Sequence, residues 1–190
     1  MINDIDRAVK SGTSKSGLAY FYCDVSDSRK RNVTDILRSL VVNLLVWQPE
    51  NKSMLDTVYQ DCMDGYSKPS DEALYEVLRQ FISAFQKAYI LIDALDESLD
   101  REKMMELVET IHGWGQEECH LLVTSRKEPW IVESMILTKP LEVDMTQMPV
   151  DTDIEKYIDF HLHSSLELRR WSSDDKASIR HVLLEKAKGM

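Results

Sequence analysis

The sequence contains no apolar run that approaches the ~18 consecutive residues needed to cross a membrane. Its first ten residues, MINDIDRAVK, mix both charges and lack the apolar segment of a signal peptide. Glycine and proline are also scarce, with 6 and 5 residues among 190, so the composition is not that of a disordered chain. Because 43% of the residues are hydrophobic, we expect the core of one folded domain.

Cysteine is scarce as well. Cys23, Cys62 and Cys119 are odd in number and far apart along the chain. They lack the paired spacing that is typical of zinc sites and disulfide frameworks. Together with the absence of a leader-like segment, this predicts a reducing, cytoplasmic location.

Basic residues are outnumbered, because 23 Lys and Arg stand against 33 Asp and Glu and leave a net charge of −10. Such a charge opposes binding to a phosphate backbone and to anionic lipid, so neither nucleic acid nor membrane is expected as a partner. The basic cluster Arg29, Lys30 and Arg31 is interpreted as the solvated start of a helix.

Apolar patterns predict an alternation of strands and helices. The runs LAYFYCD (18–24), AYILID (88–93) and HLLVTS (120–125) are typical of buried parallel strands. The intervals between these runs show the spacing of apolar residues that is typical of helices. Helices are predicted from residue 33 to Pro49, less regularly from there to Gly65, after the cap residue Ser70, between AYILID and HLLVTS, and in EPWIVESM.

The chain after these elements is predicted to change character. PLEVD (140–144) is a further strand candidate, and only helical patterns follow residue 150. This order predicts an open, mainly parallel α/β sheet followed by C-terminal helices.

Three acids, Asp93, Asp96 and Glu97, stand at the end of the apolar run AYILID. In open α/β sheets, ligands bind at the carboxyl ends of the strands. A carboxylate held there can anchor a hydrated Mg²⁺, and nearby acids can orient or deprotonate an attacking water in phosphoryl transfer. The alternative is that these acids cap the next helix, whose apolar stripe begins at Met104.

The strand HLLVTS is followed by Arg126. If the two strands are parallel neighbours, the guanidinium reaches the same edge as the carboxylates and can stabilise charge on a γ-phosphate. The alternative is a surface ion pair between Arg126 and Glu128.

The segments ILIDALDES and LLVTSRKEP together resemble the Walker B and sensor 1 segments of NACHT domains. These are signal-transduction NTPases of the STAND class, found in fungal incompatibility-type and nephrocystin-like proteins. YFYCDVSD, DTDIEKYIDFHL and KAKGM extend the resemblance over nearly the whole chain. The resemblance implies that Asp93 binds Mg²⁺, that Asp96 and Glu97 serve in hydrolysis of ATP or GTP, and that Arg126 is the sensor.

The same resemblance implies a fold, a three-layer, mainly parallel P-loop NTPase sheet. It implies an NTPase core over 1–148, with Walker B at 89–97 and sensor 1 at 121–126, and the start of a helical subdomain over 149–190. In the family a strand, a P-loop and a helix precede the aromatic strand, and INDIDRAVK resembles the end of that helix.

The P-loop motif G-x-x-x-x-G-K-[ST] does not occur in the sequence. The most similar segment, SGTSKSG (11–17), has one glycine too few before its lysine. We therefore expect a sheet that lacks its first strand and leaves two apolar edges unpaired, which favours self-association or protein partners. Because the P-loop supplies most of the grip on the phosphates, this chain alone is expected to bind little or no nucleotide.

Two functions stay open on these grounds. The chain is either part of a nucleotide-controlled switch, or a remnant that acts only through protein contacts, and the second is favoured for the isolated chain. An in-frame strand and P-loop upstream of Met1 in the genomic sequence would favour the first.

Overall fold

The chain forms two compact units, Met1–Pro140 and Leu141–Met190, in a computed structural model. The structure describes residues 2–11, 15–24, 26, 32–62, 65–136, 138–144 and 150–187. The basic cluster at 29–31 and part of SGTSKSG therefore lie outside the described residues.

A parallel sheet organises the first unit. In the described residues it has three strands, β1 (Ser16–Tyr22), β2 (Lys87–Asp93) and β3 (Cys119–Val123), paired in that order, which confirms the predicted parallel α/β sheet. The register pairs Tyr22 with Asp93 and Ile92 with Val123, so the carboxyl ends of the strands lie side by side.

Helices precede, connect and follow the strands, as the apolar spacing predicts. Ser70 caps the helix that begins at Asp71 by accepting a hydrogen bond from the backbone N–H of Ala73, and Asn32 caps the helix that begins at Val33 in the same way. The helices of this unit are α1 (Ile2–Ser11), α2 (Val33–Trp47), α3 (Asp56–Asp61), α4 (Asp71–Ser83), α5 (Arg101–Gly113) and α6 (Pro129–Met135).

One face of the sheet carries the main core. Ala88, Ile90 and Ile92 of β2 are buried in a single cluster with apolar side chains of α2, α4, α5 and α6. Each fully buried Leu or Ile there contributes about 1.5–3 kcal/mol. Gly17 permits this packing, because a Cβ on it would lie 2.6 Å from the ring of Phe85 and the ring would have to shift.

The opposite face is only partly covered. Leu18 and Leu91 are buried but lie outside the main cluster, as does Val9 of α1, and α1 contacts β1. We infer that α1 forms the third layer over this part of the sheet. Tyr20 and Leu122 on the same face are about two-fifths exposed, at 38% and 40%.

The predicted strand PLEVD is wrong. Residues 139–144 are irregular, and Leu141 and Val143 are exposed. A strand requires a partner for its N–H and C=O groups, and in the described part of the chain β3 pairs with β2 alone. Because the described residues offer this segment no neighbouring strand, the apolar residues Leu141 and Val143 are not sufficient to make it a β-strand.

The segment between Pro49 and Gly65 is helical and irregular, as predicted, but its last helix ends before the glycine. A 3₁₀ helix spans Pro49–Leu55, and α3 follows and ends at Asp61, before the glycine. Met63 lies outside the described residues. Gly65 instead takes a left-handed conformation, with φ of 90°, in the turn that leads to α4.

The second unit is helical, as expected for the chain after residue 150. It contains α7 (Val150–Ser164), a 3₁₀ turn at Leu168–Arg170 and α8 (Ser173–Ala187). Arg180 of α8 joins the two helices, because its Nε donates to Asp159 over 2.7 Å and its guanidinium also pairs with Glu155. Across the described residues of both units, no helix is long and apolar enough to cross a membrane.

Candidate functional site

The three strand ends are joined by backbone hydrogen bonds. Just beyond β1, the N–H of Cys23 donates to the carbonyl of Asp93 over 2.9 Å. Just beyond β3, the N–H of Thr124 donates to the carbonyl of Ile92 over 3.0 Å. The side chains at this edge are therefore placed by the sheet itself rather than by a free loop.

The chain turns sharply after β2. Ala94 adopts the left-handed conformation, with φ of 56° and ψ of 49°, which costs about 1 kcal/mol or more for a residue with a Cβ. Its N–H donates to the Thr124 hydroxyl over 3.0 Å, and the next N–H, of Leu95, donates to the Thr124 carbonyl over 2.9 Å. The buried Leu95 then starts a 3₁₀ turn, Leu95–Glu97, that carries Asp96 and Glu97.

Asp93 is half-buried at the end of β2, and its Oδ1 accepts a short hydrogen bond from the hydroxyl of Thr124. Within the described ranges, no hydrogen bond or ion pair involves its Oδ2. Among the described residues, the protein thus orients one carboxylate oxygen of Asp93 through Thr124.

Asp96 and Arg126 meet across the gap between the two strand ends. The backbone N–H of Arg126 donates to Asp96 Oδ1 over 3.0 Å, and Arg126 Nε lies 3.4 Å from Asp96 Oδ2. Arg126 Nη2 is 3.8 Å from Glu97 Oε1. The Asp96 side chain is 8% exposed and the Arg126 side chain 76%, so the guanidinium covers a nearly buried carboxylate from the solvent side.

The sequence left open whether these acids cap the next helix and whether Arg126 pairs with Glu128, and the geometry decides both questions. The side chain that caps α5 is Asp100, which accepts a hydrogen bond from the N–H of Lys103. Arg126 pairs with Asp96 and Glu97, while Glu128 meets it only through a backbone hydrogen bond of 2.9 Å to the Arg126 carbonyl. The expected meeting of acids and guanidinium at one edge is confirmed, and the roles assigned to these residues stay predictions.

Cys23 borders the acids from the β1 side. Burial raises the pKa of its thiol to about 11, and the negative charges of Asp93, Glu97 and Asp96 act in the same direction. Cys23 therefore stays protonated beside the carboxylates at neutral pH.

The donor atoms fit one kind of metal site better than another. Across the described part of the chain, no group of three or more His, Cys, Asp or Glu side chains is arranged to hold a metal ion. Mg²⁺ is commonly bound through one or two carboxylates, with water and substrate phosphates completing its shell. Asp93, with Oδ2 available, fits that arrangement.

The sequence placed Thr124 at the end of a strand, but sequence reasoning gave neither Thr124 nor Cys23 a role at this edge. Thr124 follows β3 directly, and a hydroxyl at that position faces the acid at the end of the neighbouring parallel strand. Cys23 follows β1 directly, one position beyond Tyr22, the register partner of Asp93, and its side chain lies in the core cluster on the other face of the sheet. Their positions just past apolar runs were the available signal, although the strand register was needed to use it.

Comparisons with known proteins agree with the predicted kinship. Residues 1–126 match the family model described as Nephrocystin 3, N-terminal. Over 191 aligned residues the chain is 24% identical to the vegetative incompatibility protein HET-E-1 of Podospora anserina, an alignment that covers 95% of this chain and 14% of that protein. No solved structure gives a significant match. The segment is thus a NACHT-like, NTPase-related region, and the chain belongs to the nephrocystin 3 N-terminal family.

Proposed function

We propose that this chain is part of a nucleotide-controlled switch, in which the edge formed by Asp93, Asp96, Glu97 and Arg126 contacts Mg²⁺ and the terminal phosphate of ATP or GTP. The observation that carries this proposal is the approach of Arg126 to Asp96, at 3.4 Å between Nε and Oδ2, at the carboxyl ends of adjacent parallel strands. Such strand ends are where open α/β sheets bind ligands.

Each residue has a distinct part in this proposal. Asp93 holds Mg²⁺ through Oδ2, directly or through water, and the ion when bound supplies charge neutralisation at the phosphates. Glu97 is about one-third exposed, at 31%, and accepts a proton from the attacking water or orients it. Asp96, held by the Arg126 backbone N–H, supports the turn that presents Glu97.

Arg126 is suited to respond to a phosphate. Its side chain is 76% exposed, and ion pairs of such groups contribute at most about 1 kcal/mol. A γ-phosphate offers a stronger, bidentate partner, so the guanidinium exchanges Glu97 for phosphate when nucleotide binds.

The test compares Asp93→Asn with Glu97→Gln in a version of this segment that includes a phosphate-binding loop. Asp93→Asn is expected to weaken Mg²⁺-dependent nucleotide binding by about tenfold or more, measured by calorimetry with and without Mg²⁺. Glu97→Gln is expected to leave binding nearly unchanged and to slow hydrolysis by about 10²-fold or more.

Glu117→Gln serves as the charge-matched control, because it also removes one negative charge and the exposed Glu117 lies just before β3, at the opposite end of the sheet. Equal and small effects of the Asp93 and Glu97 substitutions would contradict the proposed roles. Loss of folding in either variant would be recognised from its thermal melt.

A second candidate function is contact with other proteins without nucleotide turnover, and we favour it for the 190-residue chain by itself. In the described residues β3 pairs with one neighbour only, and Leu122 on it is 40% exposed. A strand edge beside an exposed apolar side chain is a surface that recruits another chain.

A further inference from the structure

Thr124 is bonded to four consecutive residues of the neighbouring segment. Its N–H donates to the Ile92 carbonyl, its hydroxyl donates to Asp93 Oδ1, its hydroxyl oxygen accepts from the Ala94 N–H, and its carbonyl accepts from the Leu95 N–H. The first of these bonds continues the ladder between β2 and β3, but the other three form the turn that follows β2.

The two hydroxyl bonds fix the direction of the proton. A threonine hydroxyl has one proton to donate and two lone pairs that accept. Because the Ala94 N–H, at 3.0 Å, occupies a lone pair, the proton is directed to Asp93 Oδ1. The carboxylate is thereby held in one rotation, with Oδ2 turned away from Thr124.

We propose that Thr124 is a positioning residue for the Mg²⁺ site: its hydroxyl selects the Asp93 oxygen that meets the metal and holds Ala94 in the left-handed turn that presents Asp96 and Glu97. The inference rests on the proposed Mg²⁺ role of Asp93. Partners that orient a metal-binding carboxylate commonly change metal affinity by about 10–100-fold when they are removed.

The experiment uses the 190-residue chain and Mn²⁺ alone as the probe. Trace Mn²⁺ broadens the amide signals of nearby residues even when binding is weak, so the broadening at Ala94, Leu95 and Thr124 reports occupancy at the strand ends. The exposed acids Asp174 and Asp175, at the start of α8, provide an internal reference for nonspecific binding.

The variants separate the hydroxyl from the shape of the side chain. Thr124→Val keeps the branched shape and removes the hydroxyl, whereas Thr124→Ser keeps the hydroxyl and removes a methyl group. Relative to the reference acids, we expect Thr124→Val to reduce broadening at the strand ends by about tenfold and Thr124→Ser to retain it. If the valine variant does not fold, Thr124→Ala takes its place, and the same spectra show whether each variant is folded.

Asp93→Asn separates the test of the Mg²⁺ role of Asp93 from the test of the positioning role of Thr124. If Asp93→Asn removes the broadening and Thr124→Val does not, Thr124 has no positioning role while the Mg²⁺ role of Asp93 stands. If the unaltered chain shows no broadening at the strand ends, or Asp93→Asn leaves it unchanged, both inferences fail. A loss in Thr124→Ser equal to that in Thr124→Val also overturns the positioning role, because the variant that keeps the hydroxyl then binds no better than the one that lacks it.

Discussion

At the scale of single residues, the raised pKa values of two cysteine thiols show that the interior disfavours the charged thiolate. Burial raises the pKa of Cys23 and of Cys119 to about 11, and the nearby carboxylates add to the effect at Cys23. The ordinary thiol pKa is 9.0. A thiol that ionises more easily in the unfolded chain favours unfolding once the pH passes that ordinary value.

We therefore predict a loss of stability in alkaline solution. The contribution of the two thiols is fully present below pH 9 and is lost as the pH rises toward 11, by about 1 kcal/mol for each thiol after allowing for solvent screening. Denaturant melts of the unaltered chain and of the double variant Cys23→Ala, Cys119→Ala measure it. The double variant is expected to lose less stability over that pH range, and an equal loss in both would contradict the assignment.

Also at the residue scale, the sequence identified the acids that precede α5 but did not show which of them caps the helix. Asp93, Asp96, Glu97 and Asp100 all precede α5 within eight positions, and the three aspartates are acceptable caps by residue type. Asp100 is the one whose side chain meets an orphan N–H of the helix. The others are turned toward Thr124 and Arg126 by the turn at Ala94.

At the scale of elements, this sorting leads to a prediction about α5. Asp100→Ala removes the cap and is expected to lower the free energy of unfolding by about 1 kcal/mol. Glu102→Ala, in the first turn of the same helix, removes a charge without a capping bond and is expected to cost a few tenths of a kcal/mol. Urea unfolding of the two variants measures the difference. If Glu102→Ala costs as much as Asp100→Ala, the effect is one of charge and not of capping.

Elements with a strong apolar pattern were predicted well. The helices α2 and α4 carry buried residues at the spacing that the sequence shows, and the predicted cap Ser70 has the expected side-chain bond. PLEVD has an equally acceptable local composition and is irregular. A helix satisfies its own backbone, whereas a strand depends on a neighbour that the local pattern does not reveal.

At the scale of the whole molecule, the free edge of β3 predicts self-association. In the described residues its outer N–H and C=O groups have no strand beside them, and Leu122 is exposed next to them. We expect the 190-residue chain to associate despite its net charge of −10, and Leu122→Lys to reduce the association because a lysine opposes edge pairing. Light scattering and sedimentation over a range of concentrations measure it.

Val46→Lys is the matched control, since Val46 is an exposed apolar residue of α2 at 72% and lies away from the sheet edge. An unaltered chain that stays monomeric at high concentration would contradict the expectation. Equal reduction by both substitutions would indicate a general effect of charge instead of an effect of the edge.

The sequence by itself determined the helices, the apolar strands, the kinship with NACHT-like proteins and the identity of the charged residues at the strand ends, because these depend on local spacing and on residue type. Only the tertiary structure decided that Asp100 caps α5, that Arg126 pairs with Asp96 and that Thr124 orients Asp93. The last two contacts join residues 30 and 31 positions apart in sequence, and they exist only because β2 and β3 lie in one parallel register. A hydrogen bond requires atoms within about 3 Å, and that precision is set by the sheet.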